Sequence, residues 1–413
     1  MPDNDSITTP SVVHITFSTH GGAGKVAQRL VALQSSFGMK SSLRTATQGK
    51  LPSLLLSDPS LVARGLLDFY LVRRTQNSHL FSLLRNTGQK LDGSVLGELS
   101  EVIHLHWTPG MIGSEGIRAL VDSGKKVVWT THDMWPMTGG CHHALGCEKY
   151  QSSCEHCPQT REFFQTKVSN EFKRRQQVIN HGRGIEIIAP SKWMSDKLKK
   201  SSMFINANVS VIPNYLDTAH FSPRDKASSR RVFGISEDEF VIGCAAADLA
   251  DPMKGISNVM DVVRKLQDSY PETNFRLLMV GAGNKAVSDQ LFKTTGLLDD
   301  NSMVDAYNSM DVFVSASLAE SFSYTLAEAA AVGIPRVCLN ESSMPEMIEP
   351  GVTGLIANSL GEMTQTLITL ARDANLVHLM GRKSREMAIQ RFSGEVVHRA
   401  HMAVYASDQR GTK

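Results

Sequence analysis

The 413-residue chain has almost no surplus charge: 43 Lys and Arg stand against 41 Asp and Glu, a net charge of +2. That balance gives no global drive toward nucleic acid or another polyanion. No stretch reaches about 18 uninterrupted apolar residues, so no segment reads as a membrane-spanning helix. Met1 to Pro10 is polar, holds two aspartates and lacks the apolar core of a secretory signal. Low-complexity tracts and short-period repeats are missing too, which excludes disordered and solenoid architectures. With 41% hydrophobic and 20% charged residues, the expectation is a globular, cytoplasmic protein of two or three domains.

What is present alternates between two periods. Val12-Val13-His14-Ile15-Thr16-Phe17 reads as a strand, and Gly21-Gly22-Ala23-Gly24-Lys25 follows it. Val26, Leu30, Leu33 and Phe37 then recur at helical spacing. Strand, glycine loop and helix open a βαβ unit, and the pattern returns at Val102–Trp107, Lys126–Thr131 and Ile185–Ala189. Ser191 is placed to cap the helix after the last of these. Around Val209 to Pro223 the texture turns polar and proline-punctuated, which predicts a domain boundary. Beyond it the alternation resumes with strands at Val241–Ala246, Arg276–Val280 and Val312–Ala316. A helix between the first two places Val259, Val262, Val263 and Leu266 on one face. Two successive α/β domains with mostly parallel sheets are predicted. The first spans 1–212, with a tail helix from 395 to 413 packing back on it, and the second spans 213–394.

The glycine loop is not a P-loop, because Thr19 stands where the Walker spacing needs glycine and Val26 follows Lys25. It is either a tight turn or a close backbone approach to an anion at a helix N-terminus. Glu320 and Glu328 carry the stronger signal. Eight helical residues turn through about 800°, so the two carboxylates converge only if Glu320 lies in a loop and Glu328 in the helix. The helix start between them then offers N–H groups to an anion. A capping acid plus a solvated acid is the plainer alternative. His104 and His106 are read as pointing to opposite sides of their strand, with His104 in a structural role. Residues 161–200 hold 10 Lys and Arg against 4 Asp and Glu, either a solvated helix face or a patch facing anionic lipid. Leu66–Arg74 is a second candidate for a membrane surface.

Four of the six cysteines, Cys141, Cys147, Cys154 and Cys157, fall within 17 residues. Their spacing supplies enough thiolates for a tetrahedral structural zinc, with His142, His143 and His156 as alternate ligands. Unligated thiols and disulfides remain open.

The run from Glu320 to Glu328, continuing through Ala329-Ala330-Ala331-Val332-Gly333-Ile334-Pro335, resembles the retaining glycosyltransferases of family 4, which have the GT-B fold. Val211-Ile212-Pro213-Asn214, Lys254-Gly255, Leu278–Gly283, Asp311–Val314 and Gly351–Leu355 occur in family order. Gly21-Gly22, His104–Trp107, Thr131–Trp135 and the cysteines resemble the branch that builds colanic-acid-type and other surface polysaccharides. The resemblance implies two Rossmann-like domains facing a cleft. It implies a metal-independent hexosyltransferase that moves sugar from a UDP- or GDP-sugar to a lipid-linked or polymeric glycan, in contact with the inner face of the membrane and not with nucleic acid. An epimerase on the same fold and a non-catalytic glycan- or partner-binding protein are the alternatives.

The resemblance also implies roles. Gly21 and Gly22 approach the donor diphosphate, His132 borders the reacting sugar and Lys254 neutralises the diphosphate. Glu320 holds sugar hydroxyls, Glu328 the ribose, and backbone N–H groups of Ser323, Tyr324 and Thr325 the distal phosphate. Two positions depart from the pattern. The usual arginine before the lysine is missing from Asp248–Met253, and Ser323 stands where glycine is common.

Overall fold

The computed structural model describes residues 10–45, 99–181, 185–283 and 290–407. Leu66–Arg74, the second membrane-surface candidate, lies outside the described residues. The chain forms two compact units, Met1–Asn214 with His398–Lys413, and Tyr215–Val397.

The first unit is built on a six-stranded parallel sheet in the order β2-β1-β3-β4-β5-β6. Its strands are β1 (Val12–Thr16), β2 (Ser41–Thr45), β3 (Val102–Leu105), β4 (Lys126–Thr130), β5 (Glu186–Ala189) and β6 (Val209–Val211). The helices are α1 (Gly21–Ser36), α2 (Ser114–Asp122), α3 (Glu162–His181) and α4 (Lys192–Lys200). Ser191 caps α4 as expected, accepting from the Met194 amide at 3.2 Å. Strand alternation sends Val13, Ile15, Ile103 and Leu105 into one apolar cluster. The other face is polar, because His14 pairs in register with His104 and both are fully buried.

The second unit carries a parallel sheet in the order β12-β11-β10-β7-β8-β9. Its strands are β7 (Phe240–Asp248), β8 (Phe275–Ala282), β9 (Phe292–Thr294), β10 (Val312–Ser315), β11 (Arg336–Leu339) and β12 (Gly354–Ala357). Alternate residues feed two cores: Val241, Leu278 and Val280 enter one, while Ile242, Leu277 and Met279 enter the other. Sandwiching a parallel sheet in this way explains its near-continuous apolar strands. The covering helices are α5 (Lys226–Val232), α6 (Ile256–Ser269), α7 (Asp300–Asn308), α8 (Tyr324–Ala331), α9 (Leu360–Arg372) and α10 (Ala374–Phe392). Val259, Val262, Val263 and Leu266 are the buried face of α6, as their spacing predicts. In α11 (Gly394–Ala406), residues from His398 onward belong to the first unit. Among the described residues no helix is long and apolar enough to cross a membrane.

In both sheets the strand order reverses beside the unit's first strand, between β1 and β3 and between β7 and β10. Doubly wound sheets bind ligands at the carboxyl ends of the strands flanking that switch point. The loops after β1, β3, β4, β7 and β10 are therefore where ligand chemistry is expected.

Candidate functional site

In the second unit, the chain leaving β7 turns at Asp251, whose carboxylate caps a short 3-10 helix at the Met253 amide, and delivers Lys254. Gly255 follows with φ +62°, and a Cβ there would stand 2.0 Å from the Ala316 carbonyl oxygen. Only glycine lets the loop pass so close to the end of β10. That approach brings Lys254 Nζ to 2.7 Å from Glu320 Oε1, across the switch point. Burial pulls the Lys254 ammonium down, but the carboxylates of Glu320 and Asp251 outweigh it and hold the group above its ordinary value. Glu320 is fixed through its backbone: its amide donates to Ser342 Oγ at 2.9 Å, and its carbonyl accepts from Ser343 Oγ at 2.9 Å.

Glu320 lies in the loop and Glu328 in α8, the arrangement their spacing requires. Glu328 is buried and accepts from the Tyr307 hydroxyl at 2.9 Å. Ser323 is the N-cap residue of α8 and makes no side-chain capping bond to the first turn. The N-terminus of α1 is also without a side-chain cap, and a Cβ at Gly21 or Gly22 would meet nothing within 4 Å. Helices α2 and α6, entered from glycines, share this trait, so it permits an anion without demanding one.

In the first unit, His132 and Asp133 follow β4. Asp133 organises the loop: it accepts from Trp107 Nε1 at 2.9 Å and the Trp135 amide at 2.8 Å, and pairs with His142 Nδ1 at 2.7 Å. Burial pushes its carboxyl up, but His142 and the Trp135 amide more than offset this and leave it below the ordinary value.

The expectation that His104 and His106 face opposite sides is wrong. Residues two apart share a face of a strand, and the two rings stack with centroids 4.4 Å apart, both buried. His14 Nδ1 lies 2.9 Å from His106 Nε2, and His106 Nδ1 lies 2.9 Å from His132 Nε2. Desolvation dominates each of these sites. It lowers His14 to about 3 and His132 to about 4, and takes His104 and His106 well below the ordinary value. The sequence reading passed over His14, Gln34 and Tyr405. The available signal was a histidine inside an apolar strand, His14, in line with those of β3.

Among the described residues, His14, His104 and His106 have ligand atoms within 4.8 Å of one another. Their nitrogens are already engaged. His104 Nδ1 meets Tyr405 Oη and its Nε2 meets Thr130 Oγ1, each at 2.7 Å, and His14 Nε2 meets Gln34 Oε1 at 2.8 Å. A neutral imidazole has one lone pair, and here each is used within the cluster. This is a hydrogen-bonded core and not a ligand set.

The four clustered cysteines line one cavity of about 10 Å³ together with Tyr150 and Gln159. All are free thiols. The Gly139 amide donates to Cys154 Sγ at 3.3 Å, and Leu145, Cys154 and His156 hold left-handed backbone at φ +47°, +51° and +50°. A tetrahedral zinc would take four such thiolates at bonds of about 2.3 Å. Of the basic run, Arg175 is buried, stacked on Trp135 with its guanidinium 3.8 Å from the ring centre and donating to the Thr138 carbonyl at 2.9 Å. Arg161, Lys167, Lys173, Arg174, Lys192, Lys199 and Lys200 are exposed.

The family described as Glycosyltransferase Family 4 matches residues 20–220, and the one described as Glycosyl transferases group 1 matches 239–373. Together they span most of the chain. Its sequence places it in the family-4 type of glycosyltransferases. Among its relatives, the Escherichia coli (strain K12) glycosyl transferase WcaC, named for colanic acid biosynthesis, is 25% identical over 234 residues. That match covers 54% of this chain and 54% of WcaC. The Bacillus anthracis N-acetyl-alpha-D-glucosaminyl L-malate synthase is 26% identical over 211 residues, 48% of this chain and 54% of that protein. The chain thus spans about half the length of these curated relatives. The Anabaena protein HepE in complex with UDP superposes with a TM-score of 0.64 at 14% identity, covering 96% of this chain and 100% of that one. Sucrose-phosphate synthase from Thermosynechococcus elongatus gives 0.64 at 14%, over 96% and 98%. At such identities the likeness establishes the fold, which is the two-domain α/β architecture of GT-B glycosyltransferases.

Proposed function

We propose that the chain is a retaining hexosyltransferase that moves a sugar from a UDP- or GDP-sugar to a lipid-linked or polymeric glycan during surface glycan biosynthesis. The observation that carries this reading is the Lys254–Glu320 pair at the switch point of the second sheet. The α8 N-terminus and Glu328 follow it within the same strand-to-helix connection. The UDP complex of HepE and the colanic acid name of WcaC support the donor and acceptor classes.

The chemistry follows from charge. Departure of the leaving group builds negative charge on a diphosphate. Lys254 and the preorganised amides of Ser323, Tyr324 and Thr325 stabilise it, and Gly21 and Gly22 are assigned to the same diphosphate. Lys254 is engaged by Glu320 in the structure, so donor binding exchanges that partner for phosphate and frees the carboxylate for sugar hydroxyls. Glu328, oriented by Tyr307, takes the ribose, and His132 borders the sugar. With no carboxylate assigned as nucleophile, the acceptor hydroxyl attacks the donor's front face and the leaving phosphate takes its proton. No metal has a role in that step. Cys141, Cys147, Cys154 and Cys157 would hold a structural zinc that braces the loop after His132.

Incubation with labelled UDP- and GDP-sugars tests the reading. Release of nucleoside diphosphate with sugar passed to glycan or water is expected. Isomerised donor, or binding with no turnover, would overturn it.

A further inference from the structure

The polar face of the first unit's sheet carries a continuous chain of hydrogen bonds that ends on His132. It begins at Gln34 on α1, fully buried. Ser41 Oγ donates to Gln34 Oε1 at 2.8 Å, and Gln34 Nε2 donates to the Tyr405 hydroxyl at 3.0 Å. In this orientation of the amide, Oε1 faces Ser41 and Nε2 faces Tyr405. His14 Nε2 lies 2.8 Å from the same oxygen, and an amide oxygen only accepts, so His14 carries its proton on Nε2. Its Nδ1 is then a lone pair, and His106 Nε2, 2.9 Å away, must donate to it. The rule repeats at His106, whose Nδ1 accepts from His132 Nε2 at 2.9 Å. The second arm agrees. Tyr405 accepts from Gln34 and donates to His104 Nδ1, leaving His104 Nε2 to donate to Thr130 Oγ1.

We propose that Gln34, His14 and His106 are positioning residues that hold His132 as the neutral Nε2–H tautomer, with Nδ1 as its hydrogen-bond acceptor. The relay fixes the ring plane of His132 and which of its nitrogens carries the proton. One buried amide sets the polarity of three histidines in series. The low pKa values of His14 and His106 agree, because a second proton on either ring would put two donors face to face. The role of this tautomer in transfer rests on the reading of His132 as bordering the donor sugar.

Long-range ¹H–¹⁵N correlation spectra of the full-length, histidine-labelled protein test the relay itself. Expected are single Nε2–H tautomers for His14, His106 and His132, unchanged from pH 8 to pH 6. Nδ1–H signals at these three would mean that the amide is reversed and would overturn the proposal. His106→Leu should convert His132 to an averaged pair of tautomers, whereas His106→Gln, which keeps an acceptor and a donor, should restore one. An unchanged His132 spectrum in His106→Leu would overturn the proposal as well. Loss of the fold in that variant would leave the wild-type spectra to decide. Donor hydrolysis separates the two levels of the argument. A fall in kcat of roughly tenfold in His106→Leu, largely recovered in His106→Gln, is expected. If the spectra behave as stated while His132→Ala and His106→Leu both retain full turnover, the relay stands and the placement of His132 at the sugar fails.

Discussion

Glu320 and Lys254 are each other's partners, so substituting either one tests two roles at once. In Glu320→Gln the backbone anchors at Ser342 and Ser343 remain, and the fold should keep its melting temperature within a few degrees. Transfer should fall by about 10²–10³, the loss usual for a group that acts on the transition state. Near-normal turnover would remove Glu320 from the site. Lys254→Ala should raise the donor KM and lower kcat together, since Asp248–Met253 before it holds no arginine to substitute. Tyr307→Phe separates binding from chemistry. It deletes one donor to the buried Glu328 carboxylate, a loss of about 1–3 kcal/mol. If Glu328 holds the ribose, KM for the nucleotide sugar rises severalfold and kcat stays near its wild-type value. A drop in kcat with KM constant would place Glu328 at the reacting centre instead.

At the scale of elements, much was legible because local rules sufficed. Ser191, the buried face of α6, and the loop-then-helix placement of Glu320 and Glu328 each follow from periodicity, capping or helical rotation. The meeting of Lys254 with Glu320 is a product of strand order, since 66 residues separate them. The histidine relay was less accessible still. Gln34 and Tyr405 are 371 residues apart, and nothing in the spacing of either foretells the other. His104 and His106 were misread by a slip in strand geometry, not for want of signal. The turns and shared cavity of the cysteine segment suit a metal brace. Protein purified without chelator should contain about one zinc per chain, and chelation should lower the melting temperature. Metal-free protein with four titratable thiols and full stability would show that the segment needs no metal.

For the whole molecule, the buried histidines predict a one-sided pH dependence of stability. His14, with a folded pKa of about 3, and His132, at about 4, are joined by His104 and His106, all depressed by desolvation. In the unfolded chain each titrates near 6.5. Above that pH both states leave these rings neutral, and their contribution to stability is fully present. Below it the unfolded chain binds protons that the folded chain refuses, so stability falls as pH drops toward the folded values. Each refused proton steepens the loss by roughly 1.4 kcal/mol per pH unit. Four such groups would remove much of a typical domain's stability before pH 4. Urea unfolding between pH 8 and 4.5 should therefore show a plateau down to about 6.5 and a steep decline beneath it. Hydrogen exchange should locate the earliest loss in β1, β3 and α1, where the histidines and Gln34 sit. The variant His14→Leu, apolar at one of these depressed sites, should make the decline shallower by about one proton. A flat profile from pH 7 to 5 would mean that the rings take up protons in the folded state, and that the face between α1 and the sheet admits water.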